Sequence, residues 1–125
     1  MERQRPPLDI KDRTFAFAVE IVRICQELDG KPGTNRRLAA QLLSSGTSIG
    51  ANIEEAQAGQ SAADFVSKCS IALKEARETI YWLRLLEATG LSKNQNVQTL
   101  RQEAVELSRI LGSIIVRTKN RRRGG

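Results

Sequence analysis

The sequence predicts an all-α protein, an up-down-up-down four-helix bundle, on three observations. Apolar residues recur at spacings of three and four in four separate segments. No segment alternates apolar and polar residues in the way a half-buried strand does. The connections are short and rich in Gly, Pro, Ser and Asn, so consecutive helices should lie antiparallel. The predicted helices span about 12–28, 34–57, 62–88 and 95–118, within a single domain of residues 1–118, and residues 119–125 form a basic tail.

Pro6 and Pro7 close a short leader, and Asp9 or Asp12 is placed to cap the first helix by accepting from its free amides. That helix carries two adjacent apolar stripes, Phe15, Ala18, Val22 and Cys25 on one, Phe17, Ile21, Ile24 and Leu28 on the other. One core needs only one stripe, so the second implies a wide core face or a contact between subunits. Gly30-Lys31-Pro32-Gly33 reads as a turn, with Thr34 as the cap of helix two. Helix two holds the stretch around which the chain is organised: Leu42, Gly46, Ile49, Ile53 and Ala56 form a seam with glycine where leucine is usual. Gly46 and Gly50 each cost about 1 kcal/mol of helix propensity against alanine, so this helix is built for close approach by a neighbour.

Gly59 ends helix two, and Ser61 with Asp64 makes a weaker form of the capping box for helix three. Its seam is Phe65, Cys69, Ala72, Ala76, Thr79, Leu83 and Leu86, widened by Val66, Leu73 and Ile80. Gly90 stops it, and Ser92 or Asn94 restarts the chain. Val97, Leu100, Ala104, Leu107, Leu111 and Ile114 then form the seam of helix four, broadened by Ile110 and Ile115.

The chain of 125 residues contains no histidine, which removes imidazole as a general base, as a zinc ligand and as a triad member. The reading is therefore non-enzymatic, with no catalytic residue, metal or cofactor assigned. Glu54, Glu55, Glu75 and Glu78 invite comparison with carboxylate metal bundles, but Lys74 and Arg77 beside them favour salt bridging. The two cysteines, Cys25 and Cys69, sit at helical spacing among apolar residues and read as buried thiols of a reducing compartment. With no apolar signal core at the amino terminus and no run near the ~20 residues of a membrane span, the expectation is a soluble cytoplasmic protein without membrane contact.

Charge is the most informative feature. Residues 91–125 carry eight Lys and Arg against two Glu, which equals the whole net charge of +6. Arg117, Lys119, Arg121, Arg122 and Arg123 crowd together after helix four with no acid among them, denser than a helix end requires. That density matches the electrostatic footprint of phosphate binding. Arg36 and Arg37 form a second basic group at the start of helix two. The predicted contacts to RNA or DNA are therefore Arg36, Arg37, Arg117, Lys119, Arg121, Arg122 and Arg123. Gly46, Ile49, Gly50, Asn52, Ile53 and Trp82 are assigned to helix packing and oligomer contacts. Within that set Asn52, flanked by Ser48 and Glu55, reads as a register device, and Trp82, off the main stripe, as a subunit contact.

Ser48-Ile49-Gly50-Ala51-Asn52-Ile53-Glu54-Glu55, then Asp64-Phe65, Ile71 through Thr79 and Trp82-Leu83, resemble the four-helix-bundle family of proteins encoded in intervening sequences of 23S ribosomal RNA genes. Ala56 departs from the glycine that many relatives place there, which puts the exit of helix two in question. That family is similar to the accessory variability protein of diversity-generating retroelements, and Arg109 through Ile115 followed by Arg117 resembles its last helix. The resemblance implies a homo-oligomeric, pentameric ring that binds nucleic acid and partners a reverse transcriptase. The competing expectation is a protein-binding scaffold whose basic end meets an acidic partner.

Overall fold

A computed structural model describes residues 9–124, with side chains through Arg121. Four helices follow one another, α1 (Ile10–Asp29), α2 (Thr34–Gln57), α3 (Ala62–Thr89) and α4 (Asn96–Gly124), and no strand occurs among the described residues. The predicted bounds hold to within two residues except at the end of α4.

Local chemistry sets most of the boundaries. The Asp9 carboxylate accepts from Lys11 N at 3.4 Å, and Ser61 Oγ accepts from Asp64 N at 3.0 Å. Gly90 ends α3 in the left-handed conformation, φ 67°, its amide donating to Leu86 O at 3.1 Å. Asn94 Oδ1 accepts from Asn96 N at 2.8 Å and opens α4. Thr34 is not the cap of α2. Gly33, at φ 85°, holds that position without a side-chain bond, because only glycine turns the chain this way without strain. Ala58, not Gly59, is the C-cap of α2.

The larger difference lies at the carboxyl end. Residues 119–124, expected as a tail, continue α4 as its last turn and a half. No Gly or Pro intervenes between Ser113 and Arg123, Arg and Lys are good helix formers, and cations are favoured at a helix carboxyl end. Thr118, 9% exposed, is the last buried side chain among the described residues; Lys119, Asn120 and Arg121 are all exposed.

Cross-links fix the antiparallel order. Lys11 meets Glu54, and Asp29 meets Arg36; Lys68 meets Glu55, and the Ser45 and Thr79 hydroxyls lie 3.0 Å apart in the core. Glu27 accepts from Asn94 at one end of the α1–α4 pair, while Arg13 grips Glu103 nearer the other, Nε to Oε2 at 3.1 Å and Nη2 to Oε1 at 2.7 Å. That two-pronged pair is the main polar tie between helices that otherwise meet sparsely.

Of the two stripes on α1, the core takes Phe17, Ile21, Ile24 and Leu28, all at most 4% exposed. Phe15 is left 65% exposed and Val22 39%, although Cys25 of the same stripe is buried. The seam of α2 is buried throughout. A Cβ on Gly46 would lie 2.8 Å from Ile21 Cγ2, and one on Gly50 would lie 3.2 Å from Thr14 O, so both glycines are where α1 presses against α2. In α4 the seam steps from Leu111 to Ile115 and Thr118, leaving Ile114 only partly buried. A straight helix drifts against a strict heptad in this direction.

Two predictions follow from the packing. Gly46→Ala should lower unfolding free energy by about 1–2 kcal/mol, because Ile21 is stiff and fully enclosed, outweighing the propensity gain. Gly112→Ala, where an added Cβ meets nothing within 4 Å, should raise it by about 0.5–1 kcal/mol. Urea titrations giving the two changes the same sign would contradict this packing. Burial, with help from the Asp29 charge, pushes the Cys25 thiol up to about 11, and burial also raises Cys69. The fold favours the neutral thiol, so the Cys25 contribution is constant below the unfolded value of about 8.5 and is lost as pH rises through about 11. Urea midpoints of the native protein should therefore fall faster than those of Cys25→Ala across that window, and both thiols should resist alkylation until unfolding.

Candidate nucleic-acid interface

The predicted basic residues do not form one site within a chain. Arg36 and Arg37 open α2, beside the end of α1 and the start of α4, whereas Arg117, Lys119 and Arg121 close α4 at the opposite end. Arg36 is further occupied: its guanidinium pairs with the Asp29 carboxylate at 3.4 Å and donates to Asp29 O. Arg37 is exposed, and Lys31 and Lys93 belong to the same end.

At the other end the arrangement is simpler. Arg117, Lys119 and Arg121 are exposed, and none has an ion-pair partner among the described residues. The side chains of Arg122 and Arg123 lie outside the described residues, although their backbone continues the helix. At 100° per residue, Arg117 and Arg121 share one side of α4 and Lys119 faces away from them. Charge therefore surrounds the helix end instead of forming a single stripe. Val116, 57% exposed, sits at the root of this group. The sequence reading overlooked Val116; its signal was an apolar residue falling off the seam between Ile115 and Arg117. It also missed Arg13 and Glu103, 90 residues apart, for which local pattern gives no signal.

Of the acidic residues singled out on α2 and α3, Glu54, Glu55 and Glu78 are engaged. Glu54 pairs with Lys11 at 3.9 Å, Glu55 with Lys68 at 2.7 Å, and Glu78 accepts from Trp82 Nε1 at 3.1 Å. Glu75 is held above the usual carboxylate range by burial, then by the Glu78 charge, against an opposing effect of Lys74. Among the described residues no group of three or more Cys, Asp and Glu is placed to hold a metal ion.

The residues assigned to packing divide in two. Gly46, Ile49, Gly50 and Ile53 are spent within the chain, on the α2 core face. Asn52 donates Nδ2 to Ser48 O of its own helix at 2.8 Å, so within one chain it fixes no neighbouring helix. Trp82 is partly buried against the core and stacks edge to face with Tyr81, ring centroids 5.1 Å apart. No described helix is long and apolar enough to cross a membrane.

Comparison with known proteins bears on all of this. No curated protein matches the chain. A crystal structure of a protein of unknown function from the S23 ribosomal protein family of Bacteroides thetaiotaomicron VPI-5482 is similar at 42% identity, with a TM-score of 0.78. The similarity covers 86% of this chain and 98% of that one. The family model for the 23S rRNA-intervening sequence protein matches residues 7–113, so the basic end of α4 lies beyond the matched span. With that match across most of its length, the chain belongs to the family of 23S rRNA-intervening sequence proteins.

Proposed function

We propose that the chain is a non-catalytic nucleic-acid-binding protein that works as a homo-oligomer, pentameric as its family resemblance implies, and serves as an accessory to a reverse transcriptase of a diversity-generating retroelement. The observation that carries the binding role is the end of α4, where Arg117, Lys119 and Arg121 stand exposed with no ion-pair partner among the described residues. Such cations bind by neutralising phosphates and releasing counterions, with little discrimination among sequences. Several α4 ends gathered in one assembly would raise the local potential further.

Self-association has its own support. Phe15, Val22 and Leu43 leave an apolar strip along the outer α1–α2 face, next to surface grooves of about 250 and 310 Å³. Exposed apolar surface of this kind marks contact faces. A second reading, an acidic protein partner, is favoured by one observation: Val116 offers an apolar anchor amid the cations.

Binding of mixed-sequence nucleic acid should weaken steeply between about 50 and 500 mM salt. Combining Arg117→Gln, Lys119→Gln and Arg121→Gln should reduce the slope of log affinity on log salt by about 2–3 per bound chain. The same variant should keep its unfolding free energy within about 0.5 kcal/mol, since these side chains are exposed and glutamine is a comparably good helix former. Affinity indifferent to salt, or a variant that binds like the parent, would refute the reading. Co-purifying partners that survive nuclease treatment would favour the acidic-protein alternative.

A further inference from the structure

We infer that the free end of α4 selects double-helical nucleic acid over single strands. The inference rests on the nucleic-acid reading above and adds the form of the ligand. Proteins that grip single strands combine a basic groove with aromatic side chains on which the bases stack, each stack being worth about 1–3 kcal/mol. The end of α4 offers no such platform. From Asn96 to Gly124 the helix contains no Phe, Tyr or Trp.

The rings elsewhere are spent or distant. Phe17 is 2% exposed, and Phe65, which does lie near this end, packs against the core. Tyr81 and Trp82 sit about 28 Å up α3 from its first turn. Phe15 is exposed, but it lies in the α1–α2 groove with Ala18, Thr47 and Gly50, close in level to the Arg13–Glu103 pair. That pair is 18 α4 residues before Arg121, about 27 Å along the axis.

Spacing points the same way. Arg117 and Arg121 are one turn apart, about 6 Å along a continuous helix, with Lys119 between them on the other side. Cations spaced by helical geometry suit phosphates that are themselves held in place. A duplex supplies them at about one charge per 1.7 Å of axis, counting both strands. A flexible strand offers a lower charge density and must be ordered to match, a cost in conformational entropy that stacking does not offset here.

The test is fluorescence anisotropy of the full chain with a labelled DNA duplex of about 20 bp and with one of its strands, chosen not to self-pair, at equal salt. The duplex should bind at least about fivefold tighter, and Phe65→Leu, which removes the ring near this end while keeping an apolar side chain on the core, should leave both affinities unchanged. A strand bound as tightly as the duplex overturns the inference, as does a Phe65→Leu loss of strand binding of about tenfold. Either result would leave nucleic-acid binding itself standing. Failure to bind strand and duplex alike would remove that reading and this inference with it.

Discussion

The bundle depends on how closely α1 can approach α2. At Gly46 the flank of Ile21 fills the space a side chain would occupy, and one turn on, at Gly50, the backbone of Thr14 does the same. Each glycine gives up about 1 kcal/mol of helix propensity, and the dispersion contacts of fully enclosed Ile21, Leu42, Ile49 and Ile53 more than offset it. This contact decides which stripe of α1 faces inward. Once Ile21 is seated against Gly46, Phe17, Ile24 and Leu28 must turn to the core, and Phe15 and Val22 must turn out.

That choice organises the surface as well. The outer α1–α2 face acquires an apolar strip, and Glu54, Glu55 and Glu78 are drawn into contacts with Lys11, Lys68 and Trp82. Cations without an ion-pair partner among the described residues remain on α3 at Lys74, Arg77 and Arg84, at the start of α2 and at the end of α4. The α2 start is partly neutralised by Asp29, whereas the end of α4 is not neutralised by any described acid. Its cations are exposed on the last turns of the helix, around and beyond the buried Thr118. The family model matches residues 7–113, so the basic end of α4 lies beyond the matched span.

Much of this was readable from residue order alone. The α2 seam from Leu42 to Ala56 and the α3 seam from Cys69 to Leu86 were legible because period and burial coincide there, and Ser61 and Gly90 announce their boundaries by chemistry. Three features were not legible. Both stripes of α1 are comparably apolar, and only a long-range contact with Gly46 selects between them. The basic run 117–123 satisfies the composition of a solvated tail and of a helix equally well, and the packing of Ile115 and Thr118 resolves it as helix. Asn52, suited by type to pair across helices, donates within one chain to Ser48 O of its own helix. As for the candidate interface, sequence found its charges, and the antiparallel order that the short connections imply already sets Arg36 and Arg37 beside the start of α4, away from the basic run at its end.

The central claim is that the carboxyl end of α4 is the surface that meets nucleic acid. Amide hydrogen exchange of the full chain, with and without a saturating duplex, addresses it directly. Contact through this end predicts slowed exchange confined to the last turns of α4, from about Val116 onward, where free helix otherwise frays readily. Slowed exchange at the start of α2, around Arg36 and Arg37, with the end of α4 unchanged, would contradict it.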